Sequence, residues 1–331
     1  MRLAVIRPAT AVVLLLLSVL VDTAATQPAG KMPRVGYLAP FSDSDPVARR
    51  VLEAFRQGLR ELGYTEGQNI AIESRSAEGK DERLPALAAD LVRSKVDVIV
   101  ATSGAATRAV QQTTRTIPIV MSQANDPVGS GLVANLARPG GNVTGLTIMS
   151  PDLVAKRLEL LKELVPKVSR IGLLRNPDNP ASAAMLQEAE AAARALGVRL
   201  QTLEARNSQE IEVAFAAMLK ERAGALLMLT DAIFTTQRRQ IAELAAKGRL
   251  PSLGPSQYPD AGGLMAYGPN IFDLERRAAS FVDRILKGAK PGDLPVEQPT
   301  KFDLVINLRT AKAIGLSIPS SLSQRADQTI D

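Results

Sequence analysis

The chain has 331 residues, 46% of them hydrophobic, which is enough for two ordinary cores. It contains no histidine and no cysteine, which excludes disulfides, thiolate chemistry, Ser-His-Asp and Cys-His nucleophile systems, and the common zinc sites. The net charge is a mild +6 with 3% aromatics and no tryptophan, so nucleic-acid binding is poorly supported.

The start reads as an export signal. Arg2 and Arg7 precede the apolar run from Ala11 to Val21, and Thr23-Ala24-Ala25 offers small residues for cleavage. The run is short of the ~20 apolar residues of a membrane span, and a lipid anchor would need a cysteine. Residues 1–25 are therefore expected to be a cleaved signal peptide.

Strand 34–38 then meets the polar loop 39–46. Val47, Val51, Leu52, Phe55, Leu59 and Leu62 recur at helical spacing, with Asp45 before Pro46 as the helix start. The pair Asp43 and Asp45 reads as capping rather than as metal ligands, since no partner carboxylates are nearby. A second helix through Leu84, Leu87, Leu91 and Val92 feeds strand 96–100, and Thr102-Ser103-Gly104-Ala105-Ala106 opens the next helix. Strand 117–121, the loop 122–127, a short helix, the turn 138–142 and strand 143–148 complete the first half. Ser150-Pro151 starts a helix that crosses to the second half.

That half holds strand 170–174, the loop 175–180, an Ala-rich helix, strand 198–203, helix 208–221, strand 225–229, and a helix reaching about Lys247. Short strands are expected at 250–253 and 263–266, and Tyr267-Gly268-Pro269-Asn270 reads as a chain crossing. Helix 271–287 carries an apolar face that needs a core. An exposed Pro/Gly-rich connector (288–299), strand 301–308 and a last helix from near Thr310 end the chain.

The two halves repeat one another. Arg34-Val35-Gly36-Tyr37-Leu38 leads to Leu62-Gly63-Tyr64, as Arg170-Ile171-Gly172-Leu173-Leu174 leads to Leu196-Gly197-Val198. A repeated βαβαβ order predicts an α/β fold of two Rossmann-like parallel-sheet lobes joined by a multi-segment hinge, with a cleft between them. Residues 32–149 with about 271–300 form lobe 1, and 150–270 with about 301–331 form lobe 2.

An enzyme is disfavoured. Besides the missing histidine, neither a Ser-x-x-Lys pair nor a Gly-x-Ser-x-Gly elbow occurs. Gly129-Ser130-Gly131-Leu132-Val133-Ala134 fits a dinucleotide pattern but does not follow the first strand, and so reads as a tight turn. In parallel sheets ligands sit beyond the carboxyl ends of the strands. The candidate ligand-binding residues there are Phe41, Ser42, Thr102, Ser103, Gly104, Ala105, Asn125 and Asp126 in the first half. The second half offers Asn176, Asn179, Thr230, Asp231, Ser256 and Tyr267. The helix start at 102–106 suits a carboxylate, and Asp126 and Asp231 suit an ammonium group. Phe41, Tyr258 and Tyr267 are candidates to stack on a ring.

The chain resembles a known family in Phe55-Arg56-Gln57-Gly58-Leu59-Arg60-Glu61-Leu62-Gly63-Tyr64, Asn125-Asp126-Pro127-Val128-Gly129, Arg138-Pro139-Gly140-Gly141-Asn142-Val143-Thr144-Gly145, Asn176-Pro177-Asp178-Asn179-Pro180, Tyr267-Gly268-Pro269-Asn270 and Leu294-Pro295-Val296-Glu297-Gln298-Pro299. These are similar to the tryptophan/tyrosine-type ABC transporter substrate-binding proteins, which are bacterial extracytoplasmic receptors. The resemblance implies a class I periplasmic-binding-protein fold with three crossings and ligand held at the interface. Where other members often carry Ser-Gly-Thr-Pro-Ala, this chain has Thr102-Ser103-Gly104-Ala105-Ala106, with the hydroxyl shifted or lost.

The expected function is capture of a small polar ligand, an amino acid or related carboxylate, by lobe closure, with no cofactor and no metal. The expected partners are a membrane permease and a separate cytoplasmic ATPase, with the receptor a periplasmic monomer. The alternative is a periplasmic sensor subunit that presents bound ligand to a chemoreceptor or kinase. A sugar- or nucleoside-responsive repressor of the same fold is opposed by the export signal and by the lack of a helix-turn-helix segment before residue 34.

Overall fold

Apolar residues alternate on both faces of the strands, so each sheet must be covered on both sides. Val35 and Tyr37 pack on one face of the first sheet with Val98 and Val100, while Leu38, Ile99 and Ala101 pack on the other. In the computed structural model, which describes residues 31–331, Pro33–Asp331 form one unit built on two sheets. The expected signal peptide lies outside the described residues. Among those described, no helix is long and apolar enough to cross a membrane.

The first sheet contains β1 (Arg34–Ala39), β2 (Ala71–Ser76), β3 (Val98–Ala101), β4 (Ile119–Ala124) and β5 (Val143–Thr147), in the order β2-β1-β3-β4-β5. All its pairings are parallel. Helices α1 (Pro46–Glu61), α2 (Leu84–Arg93) and α3 (Gly104–Thr113) connect the strands. After α4 (Ser150–Leu164) the pattern recurs with β6 (Arg170–Arg175), α5 (Ser182–Ala195), β7 (Arg199–Glu204), α6 (Ser208–Lys220), β8 (Ala225–Met228), α7 (Ala232–Thr236), α8 (Arg238–Lys247), β9 (Ser252–Gly254) and β10 (Met265–Pro269). The second sheet runs β7-β6-β8-β9-β10, which is the first sheet's order again. It then gains β11 (Phe302–Asn307), antiparallel to β10, and β12 (Gln328–Ile330), parallel to β11.

Helix α9 (Ile271–Leu286) leaves the second sheet and packs on α1, β3, β4 and β5 of the first. The chain thus passes between the sheets after β5, after β10 and before β11. Gly58 explains how α1 and α9 approach so closely. A Cβ there would stand 2.2 Å from the Arg276 carbonyl oxygen, so the helix accepts the ~1 kcal/mol cost of an internal glycine. The remaining helices are α10 (Leu308–Ile314) and α11 (Ser320–Arg325). They close the core formed by α4, α5 and one face of the second sheet.

Three expectations about local structure are corrected. No helix forms after Asn125-Asp126-Pro127. The Gly129 N–H is taken by the Asp126 carboxylate (2.8 Å) and Gly131 has φ +70°, which breaks the segment into turns. The connector 288–299 is not wholly exposed. Val296 is buried, its N–H donates to the Leu136 carbonyl (2.7 Å), and Glu297 bridges to Leu146. The C-terminus adds α11 and β12 to the one expected helix.

Lobe 1 contains a buried carboxylate. Glu275 on α9 is fully buried; its Oε1 accepts from Ser122 Oγ (2.5 Å) and Gln123 Nε2 (2.8 Å), and its Oε2 from Tyr37 Oη (3.2 Å). Burial pushes its carboxyl up to about 7 against the lowering effect of these three donors. Between the ordinary value of 4.5 and about 7 the folded state holds a proton that the unfolded state has lost. Stability therefore falls as pH rises through that window, by on the order of 3 kcal/mol. Urea unfolding at pH 5 and pH 8 should show that Glu275→Gln loses less stability over the rise than the unmodified protein does. Equal losses would mean that Glu275 ionises freely in the fold.

Candidate functional site

The carboxyl ends of both sheets face one another across a cavity of about 230 Å³, in the place where open parallel sheets bind ligands. From the first sheet come Phe41 after β1, Thr102, Ser103, Gly104 and Ala105 after β3, and Asn125 and Asp126 after β4. From the second come Asn176 and Asn179 after β6, and Thr230 and Asp231 after β8. These eleven candidate residues are brought together.

Three are not. Ser42 turns to Ser44 Oγ (2.8 Å) and donates to the Glu78 carboxylate. Ser256 donates to the Pro269 carbonyl (2.9 Å), beside the crossing into α9. The Tyr267 ring stacks on Phe302 at 6.0 Å. Each lies off the cavity lining because its polar or aromatic surface is already used within the fold. Tyr258 is fully buried with its hydroxyl on Ser252 Oγ (2.8 Å), which removes it as a stacking partner for a ligand. Phe41 is the one aromatic side chain lining the cavity among the described residues.

The lining also includes Asp81, Arg108, Gln123, Ser130, Ile148, Asp178 and Thr235, which the loop-by-loop reading missed. Asp81 sits in the charged run Glu78-Gly79-Lys80-Asp81-Glu82-Arg83 after the edge strand β2, and such a run reads as a solvated turn. Arg108 lies one turn inside α3, hidden by helical context. The signal is positional: β2 also ends at the cleft, and a residue one turn inside a helix that starts there can face it.

One end of the cavity suits an anion. Ser103 caps α3, accepting from Ala106 N (3.0 Å). The N–H groups of Gly104 and Ala105 keep no acceptor among the described residues, as expected for a first helical turn. Arg108 stands beside them, donating to the Ser130 carbonyl. Thr102 Oγ1 reaches only the Leu38 carbonyl at 3.5 Å.

The other end suits a cation. Asp231 is only 8% exposed, and its partners are neutral donors: Asn176 Nδ2 (3.2 Å), Asn179 Nδ2 (2.8 Å) and Ile233 N (2.9 Å). Burial raises its carboxyl above the ordinary range despite those hydrogen bonds. Asp81 is exposed to solvent within the cleft mouth, yet flanked by protein on several sides. Burial, then the charges of Asp231 and Glu82, push it up to about 6. Behind Thr230 lies Arg157, fully buried, with Nη1 on Thr230 Oγ1 (2.7 Å) and Nε on the Tyr267 carbonyl (2.8 Å).

The lobes touch at the cavity rim. Asn125 Nδ2 donates to the Thr230 carbonyl (3.1 Å). Arg238 Nη2 lies 2.6 Å from both oxygens of Asp45, which also caps α1 through Val47 N (2.9 Å). This ion pair is nearly buried, with the side chains 10% and 17% exposed. Burial would raise the Asp45 carboxyl, but Arg238 and the capped N–H outweigh it and hold it below its ordinary value. Beside the pair, Gly79 (φ +76°) comes so near Thr236 that a Cβ would stand 2.6 Å from its methyl carbon. The two sheets are thus held face to face in a closed arrangement.

Comparison with known proteins agrees with this geometry. The family described as "ABC transporter substrate binding protein" matches residues 44–330. A tyrosine-binding protein of Clostridioides difficile (strain R20291) is 28% identical over 273 residues, covering 82% of this chain and 78% of that protein. The structure of an ABC domain in complex with L-Trp from Streptococcus pneumonia gives a TM-score of 0.84 at 27% identity, covering 91% of this chain and all of that one. The ligand-free, open structure of a substrate-binding protein with adhesive properties from Clostridium difficile gives 0.66 at 25% identity, covering 90% and 99%. Solute-binding proteins of far lower identity share the two-lobe fold. The chain belongs to the ABC transporter substrate-binding protein family and has the class I periplasmic-binding-protein fold.

Proposed function

We propose that this protein captures an amino acid or a closely related carboxylate between its lobes and hands it to a membrane permease driven by a separate ATPase. The reading rests above all on the polarity of the cavity. A helix start and Arg108 await a carboxylate on lobe 1, and the buried Asp231 awaits an ammonium on lobe 2. A ligand that satisfies both ends joins the lobes, so binding favours the closed state through contacts that the open state lacks. The ligands named for relatives, tyrosine and L-Trp, carry both groups. Lobe 1 is residues 32–149 with about 271–300, and lobe 2 is the rest of the mature chain. The protein acts as an exported monomer in the periplasm, without cofactor and without turnover.

A thermal-shift screen with L-amino acids, organic acids and nucleosides tests this. A true ligand at a hundred times its Kd adds ~2.7 kcal/mol, which should raise the midpoint by roughly 5 °C. A screen in which no amino acid moves the midpoint, while a nucleoside does, would overturn the zwitterion reading.

A further inference from the structure

Among the described residues four carboxylates line the cavity, Asp81, Asp126, Asp178 and Asp231, against one guanidinium, Arg108. Two of the four have other engagements. Asp178 is an exposed side chain 3.6 Å from Arg206, and Asp126 accepts the Gly129 N–H (2.8 Å). The other two have no cation. Asp231 is held by two side-chain amides and a backbone N–H, all neutral. The influences on Asp81 are burial, Asp231 and Glu82, and all of them disfavour its charge. Arg157 behind the wall is engaged with Thr230 and the Tyr267 carbonyl.

Asp81 and Asp231 belong to different lobes. Closure therefore brings two like charges to one cavity, Asp231 buried in its wall and Asp81 on its solvent-exposed side, which costs energy unless a cation enters with them. A neutral zwitterion does not supply enough charge. Its carboxylate is matched by the start of α3 and Arg108, its ammonium offsets one of the two aspartates, and the other stays unpaired. A ligand with two cationic groups leaves neither unpaired. The apolar part of the wall, Phe41, Ile148 and Pro180, suits the methylene stem of a long basic side chain.

We propose, on the basis of the amino-acid reading above, that the ligand carries a second positive charge, so that the cleft favours basic amino acids over neutral ones. Calorimetric titration of the mature protein with L-lysine, L-arginine, L-glutamine, L-tyrosine and L-tryptophan tests this. The expected result is at least tenfold tighter binding of L-lysine or L-arginine than of any neutral member. Asp81→Asn should cost that basic ligand at least ten times more affinity than it costs a neutral one. Tighter binding of L-tyrosine or L-tryptophan than of both basic amino acids would overturn the charge inference and leave the receptor reading standing. Equal losses for basic and neutral ligands in Asp81→Asn would also overturn it. Failure of all five to bind would overturn the amino-acid reading itself.

Discussion

Asp45→Asn should weaken ligand binding by on the order of 10- to 60-fold while changing the stability of the ligand-free protein little. Asp45 caps α1 through Val47 N and separately meets Arg238 across the cleft. Asparagine caps a helix about as well as aspartate, so the cap survives and only the cross-lobe pair is lost. Arg238 belongs to α8 on the second sheet and Asp45 precedes α1 on the first, so opening the hinge separates them. The pair then contributes only to the closed state. Removing one partner of a buried pair leaves the other uncompensated, at a cost of about 3–5 kcal/mol. Partial access of water at the rim reduces this to about half, which gives the stated range at ~1.4 kcal/mol per tenfold. The cost should appear mainly in faster ligand release. Adding Arg238→Met removes the stranded charge, and Asp45→Asn/Arg238→Met should bind more tightly than Asp45→Asn alone. Calorimetry on the full cycle separates the coupling from the single effects. Unchanged affinity in Asp45→Asn would mean that the pair does not hold the lobes together.

Neither partner announces this role locally. Asp45 before Pro46 is legible as a cap because capping is decided within three residues. Its partner lies 193 residues away, beyond the reach of any motif. The same contrast runs through the molecule. The repeated order of the two sheets is legible because each half writes the same alternation of apolar strands and amphipathic helices. The loops after β1, β3, β4, β6 and β8 are legible as one site because the topology of a parallel sheet puts their ends on one side. What escapes is whatever depends on the third dimension: Asp81 in an ordinary charged turn, Gln123 aimed by a glutamate 152 residues away, and Gly58 serving a helix crossing. Ser256 and Tyr267 show the opposite error. Ser256 follows β9 and Tyr267 lies within β10, but the crossing into α9 and the antiparallel β11 occupy that end of the sheet, and both side chains are satisfied there.

The largest loss of binding is expected for Asp231→Ala, from about 30-fold to on the order of a thousandfold or more. Among the described residues the carboxylate is the only charged group that lobe 2 offers to the cavity apart from the exposed Asp178, and its position is set by Asn176, Asn179 and the first turn of α7. Truncating one member of a buried, hydrogen-bonded charge pair costs about 2–5 kcal/mol, and here the ligand's ammonium is the member left behind. The pH dependence gives a second readout with a definite sign. Asp81 is pushed up to about 6 by its surroundings and the charges of Asp231 and Glu82, and burial raises Asp231 above the ordinary range as well. A protonated carboxyl cannot offset an ammonium, so a cationic ligand binds the ionised site and expels protons. Affinity therefore rises with pH up to and just beyond pH 6 and levels off near pH 7.5. One such group gives about tenfold per pH unit on the acid side. Titrations at pH 5 and pH 7.5 should differ by about tenfold or more in the unmodified protein and by less in Asp231→Ala. Runs in buffers of different ionisation enthalpy should show protons released on binding at pH 5. Affinity that stays level across this range would show that neither carboxylate meets the ligand's positive charge, whatever the cleft binds.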